Sequence, residues 1–127
     1  MNYLLLLAAV FSLFAIAGHF TMGSKMYLKP VMGSKTAEVP KHVMRSLFHY
    51  MSVFLIFSCF VLFEGAFRLN ILFKGNEVIV FTGLVYGGFA LAQLLVAAVS
   101  GVRQGVVKMF QWIFWLLIAT TALLGTM

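Results

Sequence analysis

Three side chains early in the second apolar stretch can do chemistry together. His42, Arg45 and His49 are spaced i, i+3, i+7, which stacks them on one face of a helix. His19 lies at a comparable depth near the end of the first apolar stretch, beside Gly18. If the two stretches run antiparallel, His19 and His49 face each other. Two imidazoles at one depth can ligate a metal or a haem iron, or pass a proton; each can equally make one hydrogen bond that ties two helices together. A metal centre needs a third or fourth ligand, and none is at hand. Cys59 has no Cys or His at ligand spacing, and Glu38 and Glu64 belong to other parts of the chain. No metal or other cofactor is therefore expected, with haem or metal through His19 and His49 as the alternative. Gln93 and Gln111, with Arg45, complete the candidate polar site at this end of the apolar segments. Asp is absent, and no Ser/His/Asp, Cys/His or paired-carboxylate arrangement exists, so no enzyme activity is expected.

The elements that position these groups follow from composition. Of 127 residues, 63% are hydrophobic and only 9% are charged. A soluble domain is about a quarter charged, and one this small could not cover so much apolar surface. The solvent must be lipid, which excludes soluble enzyme folds, nucleic-acid-binding modules and disulfide-rich secreted domains. A spanning helix needs roughly 20 apolar residues. The chain supplies four such stretches, at about 3–22, 43–67, 78–101 and 106–126. Helices are required because lipid offers the backbone no other partners. The expected fold is an all-α integral membrane protein, one domain over 1–127, with four transmembrane helices in an antiparallel up-down bundle. Gly23, Pro30 and Gly33 place a long first connection, and Pro40 suits an early position of the second helix. Ala15-Ile16-Ala17 resembles a signal cleavage site, but no basic segment precedes the apolar run, so the first stretch is expected to remain as a span.

Orientation follows from the basic residues. Lys25, Lys29, Lys35, Lys41 and Arg45 surround the first connection, and Arg103 and Lys108 the third; only Arg68 and Lys74 fall on the second. Seven against two puts the first and third connections in the cytoplasm and both termini outside it. Lys25, Lys29, Lys35, Lys41, His42, Arg103 and Lys108 then meet anionic lipid headgroups or a partner, rather than nucleic acid. At the other end, Glu64 and Arg68 are spaced i, i+4 in the favourable order for a salt bridge. Gly83 and Gly87 form a small-x-x-x-small pair, suited to close packing within the chain or between protomers. Trp112 and Trp115, with Tyr3, Tyr27 and Tyr50, fit interfacial anchors. Met22-Gly23-Ser24-Lys25 recurs as Met32-Gly33-Ser34-Lys35; both copies read as flexible basic turns, because neither has the setting of a phosphate-binding loop.

At GHFTMGSK (Gly18 to Lys25) and RSLFHYMSV (Arg45 to Val53) the chain resembles a group of small bacterial inner-membrane proteins with four predicted spans. That pattern pairs Gly-His at the end of helix one with Gly-Glu a few residues later, then places Arg and His four apart at the start of helix two. Gly18, His19, Gly23, Arg45 and His49 match it, while Ser24 stands where the acid would fall. The resemblance implies a bacterial inner-membrane location and supplies no activity. The function expected from all of this is non-enzymatic and works through assembly, as a homo-oligomer or an accessory subunit of a membrane complex. The alternatives are a small oligomeric transporter or channel using His19 and His49 as a proton or ion station, and a membrane haem or metal carrier.

Overall fold

The computed structural model describes residues 1–127, and the chain is helical throughout with no strand. Helix α1 (Tyr3–Gly18) is capped by Asn2, whose side-chain oxygen accepts the amides of Leu4 and Leu5. It does not stop at the first glycines. It runs on as a π-helical segment over His19–Leu28 and then one α turn, α2 (Lys29–Met32), so that Tyr3–Met32 is one rod of 30 residues. In the widened segment an amide donates to the carbonyl five residues back, as Lys29 does to Ser24. At its start the Thr21 hydroxyl donates to the Ala17 carbonyl at 2.7 Å. The expected long first connection is thus reduced to residues 33–37. The two Met-Gly-Ser-Lys copies diverge: the first is helical and only the second forms the turn.

Helix α3 (Glu38–Phe67) is a second 30-residue rod, starting about a turn earlier than the apolar pattern suggests, with Pro40 in its first turn. Helix α4 (Glu77–Val99) follows the second connection. The expected fourth span is divided. A single turn, α5 (Gly105–Lys108), is separated from α6 (Gln111–Leu124) by a break at Met109 and Phe110. The Trp112 indole N–H donates to the Val106 carbonyl at 3.0 Å across that break. Glycine is required at position 105, because a Cβ there would lie 2.8 Å from the Ala97 carbonyl oxygen at the end of α4. Three helices, Tyr3–Met32, Glu38–Phe67 and Glu77–Val99, are long and apolar enough to cross a membrane, and Gln111–Leu124 is apolar but shorter.

Packing joins α1 to α3 and α6, and α4 to α6. Helix α1 meets α3 through small side chains, with Ala8, Ala9, Ser12 and Ala15 buried against Leu55, Cys59 and Leu62. Such residues let two backbones approach closely where lipid gives no hydrophobic drive. Cys59 is the small buried apolar group its setting suggests, its thiol directed at the Ala9 carbonyl. Gly83 and Gly87 both turn toward α6: a Cβ on Gly83 would lie 2.9 Å from Leu123, and one on Gly87 would just reach Ala119. Their spacing therefore serves packing within one chain. Hydrogen bonds also fix which ends meet. The Asn2 amide donates to the Ala66 carbonyl at 2.8 Å, the Asn2 side chain donates to Gly125 at 2.6 Å, and the Asn76 side chain donates to Thr126. The start of α1, the end of α3, the start of α4 and the end of α6 share one end of the molecule. The first and third connections share the other.

Candidate functional site

The polar groups inside this apolar molecule form three clusters. The first is built around His19, at the point where α1 widens. Its Nε2 lies 2.9 Å from the Ser52 hydroxyl and 3.1 Å from the Phe48 carbonyl, both on α3. Its ring stacks on Phe48 with centroids 3.9 Å apart. Gly23, one π turn later, lies against this stack, where a Cβ would be in ordinary contact at 3.6 Å from the Phe48 ring and 3.9 Å from His19 Nδ1.

His49 is not the partner of His19. Phe48 stands between them, packed edge-on to the His49 ring, and His49 itself is exposed. Residues 48, 52, 55, 59 and 62 line the face of α3 turned toward α1, and position 49 lies a full 100° away around the helix. Arg45 is exposed as well and makes no ion pair. His42 lies 3.7 Å from Glu38, which also accepts Lys41 at 2.9 Å, so these three form a small surface group at the start of α3. His, Cys, Asp and Glu come together nowhere in a group of three or more that could hold a metal. Gln93 and Gln111 do meet, Nε2 to Oε1 at 3.4 Å, linking α4 to α6 with no hydrogen bond to the His19 group. The candidate inner site is therefore two separate interhelical links.

If Ser52 is the true partner of His19, the energetics must show it. His19→Leu and Ser52→Ala should each destabilise the detergent-solubilised protein, and the double variant should lose less than the sum, with a coupling of about 0.5–1.5 kcal/mol. His19→Leu combined with His49→Leu should be additive. A thermal-unfolding cycle in which the coupling appears with His49 and not with Ser52 would refute the assignment.

The second cluster is the only polar knot that unites all the long elements. Tyr86 on α4 is fully buried. Its hydroxyl lies 2.6 Å from the Ser58 hydroxyl on α3 and 3.5 Å from that of Ser12 on α1. Its ring stacks on Trp115 of α6, with Phe54 and Phe89 around it. Trp115 is consequently 8% exposed and fills the core, contrary to its expected place as an interfacial anchor, while Tyr3 and Tyr50 do face outward. A sequence shows Tyr86, Ser12 and Ser58 as three scattered hydroxyls; only their common depth hints at the knot.

The third cluster replaces the expected Glu64–Arg68 salt bridge. Helix α3 ends at Phe67, and Arg68 caps it in the left-handed conformation with φ 54°. Arg68 has therefore left the helical path on which an i, i+4 pair depends, and no ion pair forms. Glu64 turns inward instead and is 4% exposed. Its Oε1 accepts the amides of Leu72 at 2.7 Å and Phe73 at 3.1 Å, pinning the second connection, while Oε2 is buried with no partner. Compared with family models, curated proteins and solved structures, this chain matches none.

Proposed function

We propose that this is a multi-pass protein of the bacterial inner membrane with four crossings in an antiparallel up-down bundle, and that it acts without catalysis through assembly. It works as a homo-oligomer or as an accessory subunit of a membrane complex. The observation that carries this reading is the sorting of charge between the two ends. Because the outer ends of the helices are hydrogen-bonded to one another, Lys35 and Arg103 in the connections, with Lys25, Lys29, Lys41, Arg45 and Lys108 on the helical turns beside them, lie toward the opposite end.

Length sharpens the point. A 30-residue rod is about 45 Å long, and the hydrocarbon layer is about 30 Å. With the outer ends of α1 and α3 at one boundary, His19 and His49 fall inside the hydrocarbon and Arg45 at its cytoplasmic edge. Lys25 then lies at the cytoplasmic edge of the hydrocarbon, and Lys29, Lys35, Lys41 and His42 stand on a helical hairpin that extends into the headgroup layer and past it. A projecting basic hairpin suits anionic headgroups or an acidic partner surface. His19 is hydrogen-bonded across to α3 at Ser52 and the Phe48 carbonyl, which favours a supporting role for it over an ion station.

The test is the mass of the particle solubilised in mild detergent, by light scattering corrected for bound detergent. Two or more copies of the chain, or a co-purifying membrane subunit, is the expected result. A strictly monomeric particle under every mild condition, with no partner retained by crosslinking in the intact membrane, would contradict assembly as the mode of action.

A further inference from the structure

The end of the molecule opposite the basic hairpin holds a cavity of about 460 Å³, walled by the start of α1, the end of α3, the second connection and the residues after α6. Glu64 and Arg68 both line it. They carry opposite charges, and helical spacing would ordinarily pair them, yet neither is in an ion pair with any residue. Glu64 is all but buried, with Oε2 lacking a partner. Arg68 and Asn70, both exposed, sit at positive φ, 54° and 52°, a left-handed conformation that asparagine takes up readily and arginine does not. Asn76 adds an amide, and Phe73 and Ile79 an apolar wall. A buried glutamate and an exposed arginine, both in the wall of one cavity and neither in an ion pair, complement a ligand that carries both a donor cation and an anion.

We propose that this cavity binds a small zwitterion bearing a primary ammonium and an acidic group, with the ammonium donating to Glu64 and the anion received by Arg68. Oε2 is shut off from the cavity as Glu64 stands, so the ammonium meets it once the side chain turns outward, and it must carry N–H groups because an orphan acceptor is satisfied only by a donor. The anion favours arginine, whose planar fork suits a carboxylate or a phosphate. Two sources offer that chemistry: the headgroup of an ethanolamine phospholipid, which lies at the level of helix ends, and a free amino acid. The cavity is separate from the basic end, so the proposal does not depend on how the protein assembles.

Calorimetric titration of the delipidated, detergent-solubilised full chain tests it with three probes: glycerophosphoethanolamine, glycerophosphocholine and leucine. Binding of glycerophosphoethanolamine alone identifies a lipid headgroup, binding of leucine alone a free amino acid, and binding of both the shared chemistry. In each case glycerophosphocholine, whose quaternary ammonium has no N–H, should bind at least tenfold more weakly. Arg68→Gln and Glu64→Gln should each weaken the productive probe at least tenfold. Arg68 is exposed and free of ion pairs, so Arg68→Gln keeps the test decisive even if Glu64→Gln fails to fold. No binding by either primary-amine probe, equal binding of glycerophosphocholine, or an Arg68→Gln variant that binds like the wild type would overturn the proposal.

Discussion

Tyr86→Ala should be the most damaging single substitution in this chain, lowering stability by about 3–5 kcal/mol. The side chain is fully buried where α1, α3, α4 and α6 come together. Its removal leaves a ring-sized void beside Trp115 and separates Ser12 and Ser58 from their shared partner. Lipid tails cannot enter such a void without disrupting helix packing, and the small interfaces of Ala8, Ala9 and Ser12 leave little slack for collapse. Tyr86→Phe isolates the hydroxyl contribution. It keeps the stack on Trp115, and because Ser58 also donates to the Leu55 carbonyl, it should cost only about 0.6–1.7 kcal/mol, the range of interhelical hydrogen bonds in membranes. Thermal unfolding in detergent measures both. Equal and small losses for Ala and Phe would show that the four elements are not held at this point.

Glu64→Leu is expected to rank second, with a loss of about 2–3 kcal/mol. The carboxylate is the acceptor for two backbone amides of the second connection, Leu72 and Phe73, and each donor left unsatisfied in a buried setting costs about 1–3 kcal/mol. The lower part of that range applies because the site lies at a helix end, where water can compensate. Glu64→Gln retains an acceptor oxygen and should lose less than about 1 kcal/mol. Arg68→Gln should leave stability nearly unchanged, since Arg68 caps α3 through its backbone and makes no ion pair. A surface salt bridge would instead give similar, small losses for Glu64→Leu and Arg68→Gln. The ratio of the two losses in one unfolding experiment therefore separates a buried strut from an exposed ion pair.

How far the chain could be read from its residues depended on the range of the interaction concerned. Segments of unbroken apolar residues dictate helices wherever lipid is the solvent, so α1, α3 and α4 are legible directly, and the small residues Gly83 and Gly87 mark where α4 meets α6. Depth along a helix is legible too, because it is a count of residues; His19 and the 48–52 region do lie level. Rotation about the helix is not legible in the same way. One residue turns the side chain by 100°, and that step separates Ser52 and Phe48, which meet His19, from His49, which does not. Glu64 and Arg68 illustrate a second limit. Their i, i+4 spacing implies a pair only if both remain helical, and the chain leaves the helix between them at Phe67. The two Met-Gly-Ser-Lys copies show a third, since one tetrapeptide is helical at residues 22–25 and turns at 32–35, where the rod ends and α3 must fold back. Tyr86 and Trp115 show the last: a polar or aromatic side chain reads alike whether it anchors at an interface or closes the core.

In the proposed arrangement four helical stretches cross the bilayer with the basic end in the cytoplasm, and α6, at 14 residues about 21 Å long, has the farthest to reach. Such a crossing would use the turn of α5 and the residues of the Met109 break as well, with local thinning of the lipid around a short segment. A pair of topology reporters tests this directly in living cells, one active only in the cytoplasm and one active only outside it. Each is joined in turn after Met127 and inserted between Ser34 and Lys35 in the first connection. The expected result is that the fusion after Met127 is active only outside the cytoplasm, and the insertion at Ser34 only inside it. A fusion after Met127 that is active in the cytoplasm would mean that α6 does not cross, and the four-crossing bundle would be wrong.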